Sequence, residues 1–135
     1  MKAAAVPLML HYLEFVYSED TAGTGSFEAV ASVWPEQVAA VQAEIVKVLD
    51  WAHARFPGRR GPVAEGCDWD YDLHALREYS VPERIDYDAA TRRLTLQAGA
   101  PARPRHTLTL LVSGNDGLCS AFRQAFGLDD QDGTA

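Results

Sequence analysis

The chain has 135 residues, 47% hydrophobic and 23% charged, which supplies one core and leaves too little polar tract for a disordered protein. Nineteen acids stand against 12 Lys and Arg, a formal charge of −7, so the far field repels nucleic acid and anionic lipid; neither is an expected partner. Two cysteines, Cys67 and Cys119, fit no C-x-x-C or metal-ligand spacing, which excludes a disulfide framework or zinc site and makes a reducing cytoplasm the expected compartment.

The opening MKAAAVPLML contains Pro7 and has no small-residue cleavage site, so it reads as no export signal; Met1 and Met9 are both available starts. No apolar run reaches the roughly 18 residues of a membrane helix. From Leu8 to Tyr17 the residues are long, aromatic or β-branched, and a first strand is expected with Met9, His11, Leu13, Phe15 and Tyr17 on one face. SEDTAGTGS turns the chain into a second strand, FEAVASVW, whose Phe27, Ala29, Ala31 and Val33 face the same core.

Pro35 to Phe56 reads as a long amphipathic helix. Val38, Val41, Ile45, Val48, Leu49, Ala52 and Phe56 recur at three- and four-residue spacing, Pro35 suits the first turn, and Pro57-Gly58 ends it. Trp51 falls about 110° round from the centre of that stripe. At this margin, with Ala40 and Glu44 expected on the surface nearby, it is a candidate anchor for a protein interface, or equally a side chain that a second structural layer or a long loop covers.

After the loop PGRRGPVAEG, the segment CDWDYDLHALREYS alternates Trp69, Tyr71 and Leu73 with Asp68, Asp70 and Asp72. Only a strand converts that period of two into one apolar and one acidic face. ERIDYDAATRRLTLQ reads as a hairpin, with Ile85 and Tyr87 on one arm, Leu94 and Leu96 on the other, and Asp88 accepting backbone N–H groups in the turn. A last strand, HTLTLLVSG, turns Leu108, Leu110 and Val112 inward. Asn115 or Asp116 caps a final helix with the stripe Leu118, Phe122, Ala125 and Phe126, and Gly127 closes it.

The order is β-β-α-β-β-β-β-α without a strand–helix–strand repeat. An α+β fold is therefore expected: a mainly antiparallel sheet of five or six strands with both helices on one face, as a single domain over 1–127 with an acidic tail at 128–135.

Three carboxylates on one strand face lie about 7 Å apart and repel, so the ladder Asp68, Asp70, Asp72 needs neutralising. A calcium loop would require Gly at its sixth position and an acid at its twelfth; Leu73 and Tyr79 stand there. His74 shares the acidic face and supplies the alternative reading, an enzyme or ligand site built on Asp70, Asp72 and His74 with Trp69 or Tyr71 shaping a pocket. No histidine pair has metal spacing, and no nucleophile motif surrounds Cys67, Cys119, Ser113 or Ser120; no metal, cofactor or catalytic residue is assigned. Arg55, Arg59 and Arg60 gather at the exit of the long helix, and Arg103 and Arg105 form a second basic group; together they are candidates for a phosphate or an acidic peptide. If the helix exit and the acidic strand meet in space, their charges pair. The leading expectation is a small acidic cytoplasmic protein that acts by binding another protein or a second copy of itself. Its candidate surface is Asp68, Asp70, Asp72, His74, Trp51, Arg55, Arg59 and Arg60.

Overall fold

The computed structural model describes residues 7–128, so the residues before Pro7 and the acidic tail beyond Leu128 lie outside the described residues. The fold is α+β. Strands β1 (Val16–Glu19), β2 (Gly25–Val33), β3 (Trp69–Glu78), β4 (Glu83–Asp88), β5 (Arg93–Ala98) and β6 (Arg105–Gly114) are joined by helices α1 (Val38–Arg55) and α2 (Asp116–Ala125). Four strands form one antiparallel sheet in the order β1-β2-β6-β3, and β4 pairs with β5 in a ribbon of its own.

Period-two patterning builds the sheet as expected. Phe27, Ala29, Ala31 and Val33 of β2 alternate with exposed residues, and Leu108, Leu110 and Val112 of β6 face the same side, toward the helices. The small Ala29 and Ala31 allow a helix to approach closely. α1 buries Val41, Ile45, Val48 and Ala52 and half-buries Val38, Leu49 and Phe56, which is the stripe expected from the sequence. A single 3-10 turn at Pro35–Gln37 precedes it, and Gly58 at φ +72° follows it.

α2 is fastened at both ends. The Asn115 side chain accepts the Leu118 N–H at 3.0 Å. Beyond its last turn Gly127 takes a left-handed φ of +68°, so that Leu128 N–H reaches the Arg123 carbonyl at 2.8 Å. Phe122 at its centre meets Phe27 of β2 (4.3 Å between ring centroids), Phe15 (5.0 Å) and Trp51 of α1 (5.7 Å).

The first strand is shorter than expected. Only Val16–Glu19 pairs with β2; Met9 and His11 are exposed, while Leu13 and Phe15 reach the core. The reason is Glu44, expected on the surface and in fact buried among the apolar residues of α1. Its carboxylate accepts the backbone N–H groups of His11 (2.7 Å), Tyr12 (3.0 Å) and Leu13 (3.1 Å). Those donors are therefore withdrawn from strand pairing, and the segment crosses α1 instead of lengthening β1.

Replacing Glu44 with Ala leaves three donors unpaired in a half-buried site and is expected to lower unfolding free energy by about 3 kcal/mol. Gln, which keeps one acceptor oxygen, should lose less. Denaturant titration checks this, and a Glu44→Ala loss under about 0.5 kcal/mol, the size of an ordinary surface change, would rule out the anchoring role.

Candidate functional site

The acidic ladder meets the helix exit, and the charges pair as the sequence suggested. Asp68, just before β3, receives Arg59 through Nε (3.1 Å) and Nη2 (3.3 Å), while Asn115 Nδ2 donates to it at 3.1 Å. Arg60 Nε donates to Asp70 at 3.2 Å, with its guanidinium 4.8 Å from the centre of the Tyr71 ring. The backbone follows the side chains: Asp68 N–H bonds to Arg59 C=O (2.9 Å) and Gly61 N–H to Trp69 C=O (2.8 Å). The segment after α1 thus lies along the outer edge of β3 at its start.

That bond also shows which backbone groups β3 leaves bare. Trp69 C=O points away from β6, and since a strand alternates sides residue by residue, Tyr71 and Leu73 point their N–H groups the same way. Asp70 Oδ1 accepts from Tyr71 N–H at 2.9 Å and Asp72 Oδ1 from Leu73 N–H at 3.1 Å; the other oxygen of Asp72 lies 3.0 Å from His74 Nε2. The ladder has two tasks: to hold Arg59 and Arg60, and to satisfy the donors of an edge strand that would otherwise invite unspecific pairing.

The Arg59 guanidinium holds the Asp68 carboxyl below the ordinary carboxylate range; burial opposes this and Asn115 adds to it. Asp68 correspondingly raises Arg59. Burial pushes the Cys119 thiol up, away from the thiolate a nucleophile needs.

Other candidates separate. Arg55 lies over the Phe56 ring, 4.8 Å from its centre, and takes no part in the ladder. Trp51 sits edge-on to Phe56, Phe122 and Phe126 and is half-buried, so its indole joins α1 to α2. Trp69 is fully buried, its Nε1 without an acceptor and its ring edge-on to His53, so it walls no open pocket. The two basic groups are not brought together: the register pairs Trp69 with Gly114 and Glu78 with Arg105, which puts Arg59 and Arg60 at one end of β3 and Arg103 and Arg105 at the other, roughly 30 Å away. Arg103 instead pairs with Glu36 at 2.9 Å, and both Arg103 and Arg105 lie over Trp34. Among the described residues no three His, Cys, Asp or Glu side chains converge as a metal site requires.

A surface that periodicity does not reveal lies at the far end of β3. Ala102 N–H bonds to Ser80 C=O (2.7 Å) and Gly99 N–H to Pro82 C=O (2.8 Å), so the β4–β5 hairpin prolongs the β3–β6 pair as an arm. Ile85 stands opposite Leu96 and Tyr87 opposite Leu94 on one arm face, and these four side chains are 59–66% exposed. Of 13 large apolar residues exposed among the described residues, eight lie between Leu73 and Leu96, and four of these share the one face of the arm. The signal in the sequence is the linkers, SVP and GAPARP, with three prolines that stiffen an extended connection. Beside the arm's root, α1 does not cover β3 completely. An open groove of about 450 Å³ remains, walled by Ile45 and Val46 of α1, Leu73 and Ala75 of β3, and Leu108, with Gln42 and His74 at its lip. A second cavity of about 560 Å³ lies between Pro7–Val16 and Phe126–Leu128 at the ends of the described chain.

No family model, curated protein or solved structure matches this chain. No helix among the described residues is long and apolar enough to cross a membrane.

Because the folded Asp68 carboxyl titrates below its unfolded value of about 3.9, its stabilising contribution is complete above that pH and fades as pH falls through the folded value. Carboxyl carbon shifts should place the Asp68 midpoint below that of Asp68 in the Arg59→Gln variant. Equal midpoints would contradict the Arg59 assignment.

Proposed function

We propose that this protein acts by binding protein, as a homodimer or as an accessory to another chain, through the side formed by β3 and the arm. The observation that carries this reading is the arm's unpartnered apolar face. A two-stranded hairpin alone is marginal in water; one that exposes Ile85, Tyr87, Leu94 and Leu96 together gains its stability from whatever covers them. Arg84, Asp86 and Arg93 on the opposite face keep that side wet, so the arm is amphipathic and the covering has a definite side.

The alternative, an enzyme or ligand site at Asp70, Asp72 and His74, has less support. Asp70 is engaged by Arg60, and Asp72 and His74 stand 61% and 70% exposed. By strand alternation Asp70 and Asp72 project from the sheet face opposite the helices, whereas the groove, which His74 only borders, opens on the helix side. A general base works in a site that excludes water and positions a substrate, and these side chains stand on an open face.

Ile85→Glu combined with Leu96→Glu is expected to leave the body folded, with its circular dichroism spectrum unchanged, because neither residue belongs to the core, and to abolish association measured by light scattering or by co-purification of the partner chain. A changed spectrum with association intact would make the arm part of the fold and refute the reading.

A further inference from the structure

We infer that the arm of one copy seats its apolar face in the α1–β3 groove of a second copy, reciprocally, so that two chains exchange arms about a twofold axis. This rests on the protein-binding reading above and names the partner. The chain itself carries both halves of the contact. It presents an apolar ridge, Ile85, Tyr87, Leu94 and Leu96, and an apolar groove, Ile45, Val46, Leu73, Ala75 and Leu108, both open. Val46 is 54% exposed and Leu73 43%, so the groove's two rims are open, while Ile45 and Leu108 form its buried floor. The middle of each surface is apolar; Glu83 at the root of the arm's face and His74 at the groove's lip stand at the margins, so two chains of formal charge −7 can meet there without an unpaired charge at the centre of the contact.

The arm does not lie in its own groove: its four apolar side chains stay exposed and β4 and β5 pack mainly on each other. The bonds Ala102 N–H to Ser80 C=O and Gly99 N–H to Pro82 C=O tie its two linkers together beyond the end of β3, and Pro82, Pro101 and Pro104 stiffen them. With six residues to a strand, the arm is about 20 Å long, enough to span the groove. A foreign protein on the arm would leave the groove bare. A second copy covers both at once, and the reciprocal seat closes the assembly with neither the ridge nor the groove left bare. Two seats cover on the order of 1,000 Å², the size at which specific interfaces begin.

The test uses the full chain and two variants at exposed positions, Leu96→Glu on the arm and Val46→Glu in the groove, each with an unchanged circular dichroism spectrum and a cooperative thermal transition as the control of folding, since loss of a dimer by itself lowers a melting midpoint. Wild type should scatter light as a dimer and each variant as a monomer. Mixing the variants should restore association, seen as energy transfer between differently labelled chains, because the intact arm of the Val46→Glu chain fits the intact groove of the Leu96→Glu chain. Transfer should be absent when either variant is mixed with itself. Should Val46→Glu not fold, Leu73→Glu replaces it on the opposite wall. A dimeric groove variant, or a variant mixture without transfer, overturns the arm exchange. A monomeric wild type also overturns it; the broader binding reading then survives if Leu96→Glu loses another protein that wild type retains, and falls with it if no protein is lost.

Discussion

The structure depends on β6 being hydrogen-bonded along both edges. Residues 105–114 pair with all nine residues of β2 on one side and all ten of β3 on the other, while Leu108, Leu110 and Val112 carry the middle of the core. β2 and β6 are separated by the whole of α1, β3 and the arm, so the sheet closes only when the last strand returns, a non-local event with a high loop-closure entropy. This placement also decides what remains outside. Once β6 lies between β2 and β3, β3 becomes an edge, and the hairpin between β3 and β6 leaves the body at its end.

An exposed edge strand is a liability, and the chain manages it chemically. Arg59–Gly61 covers the first residues of β3, and Asp70 and Asp72 turn back onto the outward N–H groups of Tyr71 and Leu73. The acidic ladder is thus explained by the strand that carries it. At the opposite margin Glu44 does related work on a partly buried stretch, gathering three N–H groups that the short β1 leaves unpaired. In both places a carboxylate replaces a missing strand neighbour, which is economical because each ionised oxygen accepts more than one donor.

Such protection stops at the arm. Its apolar face carries Glu83 at the root and then the exposed Ile85, Tyr87, Leu94 and Leu96 toward the tip. The protein thus neutralises the β3 edge at one end and leaves apolar side chains bare beyond the other, and the proposed protein-binding role rests on that contrast.

Periodicity alone makes the elements legible: the stripe of α1, the alternation of β3, the hairpin register of Ile85 with Leu96, the Asn115 cap and the Gly127 stop each follow from rules acting over three to seven residues. The pairing of Arg59 and Arg60 with Asp68 and Asp70 is readable too, because a short loop joins them. Three matters belong to tertiary structure alone. Glu44 reads as a surface residue because nothing local marks a carboxylate that will meet N–H groups more than 30 positions away. Trp51 reads equally as an interface anchor or as covered, because the helix that does cover it comes some 70 residues later. The hairpin reads as part of the sheet because its alternation is the same whether its apolar face is covered or bare. Sequence determined which residues share a face; only the three-dimensional arrangement decided which faces meet, because periodicity is local and burial depends on strands brought together from distant parts of the chain.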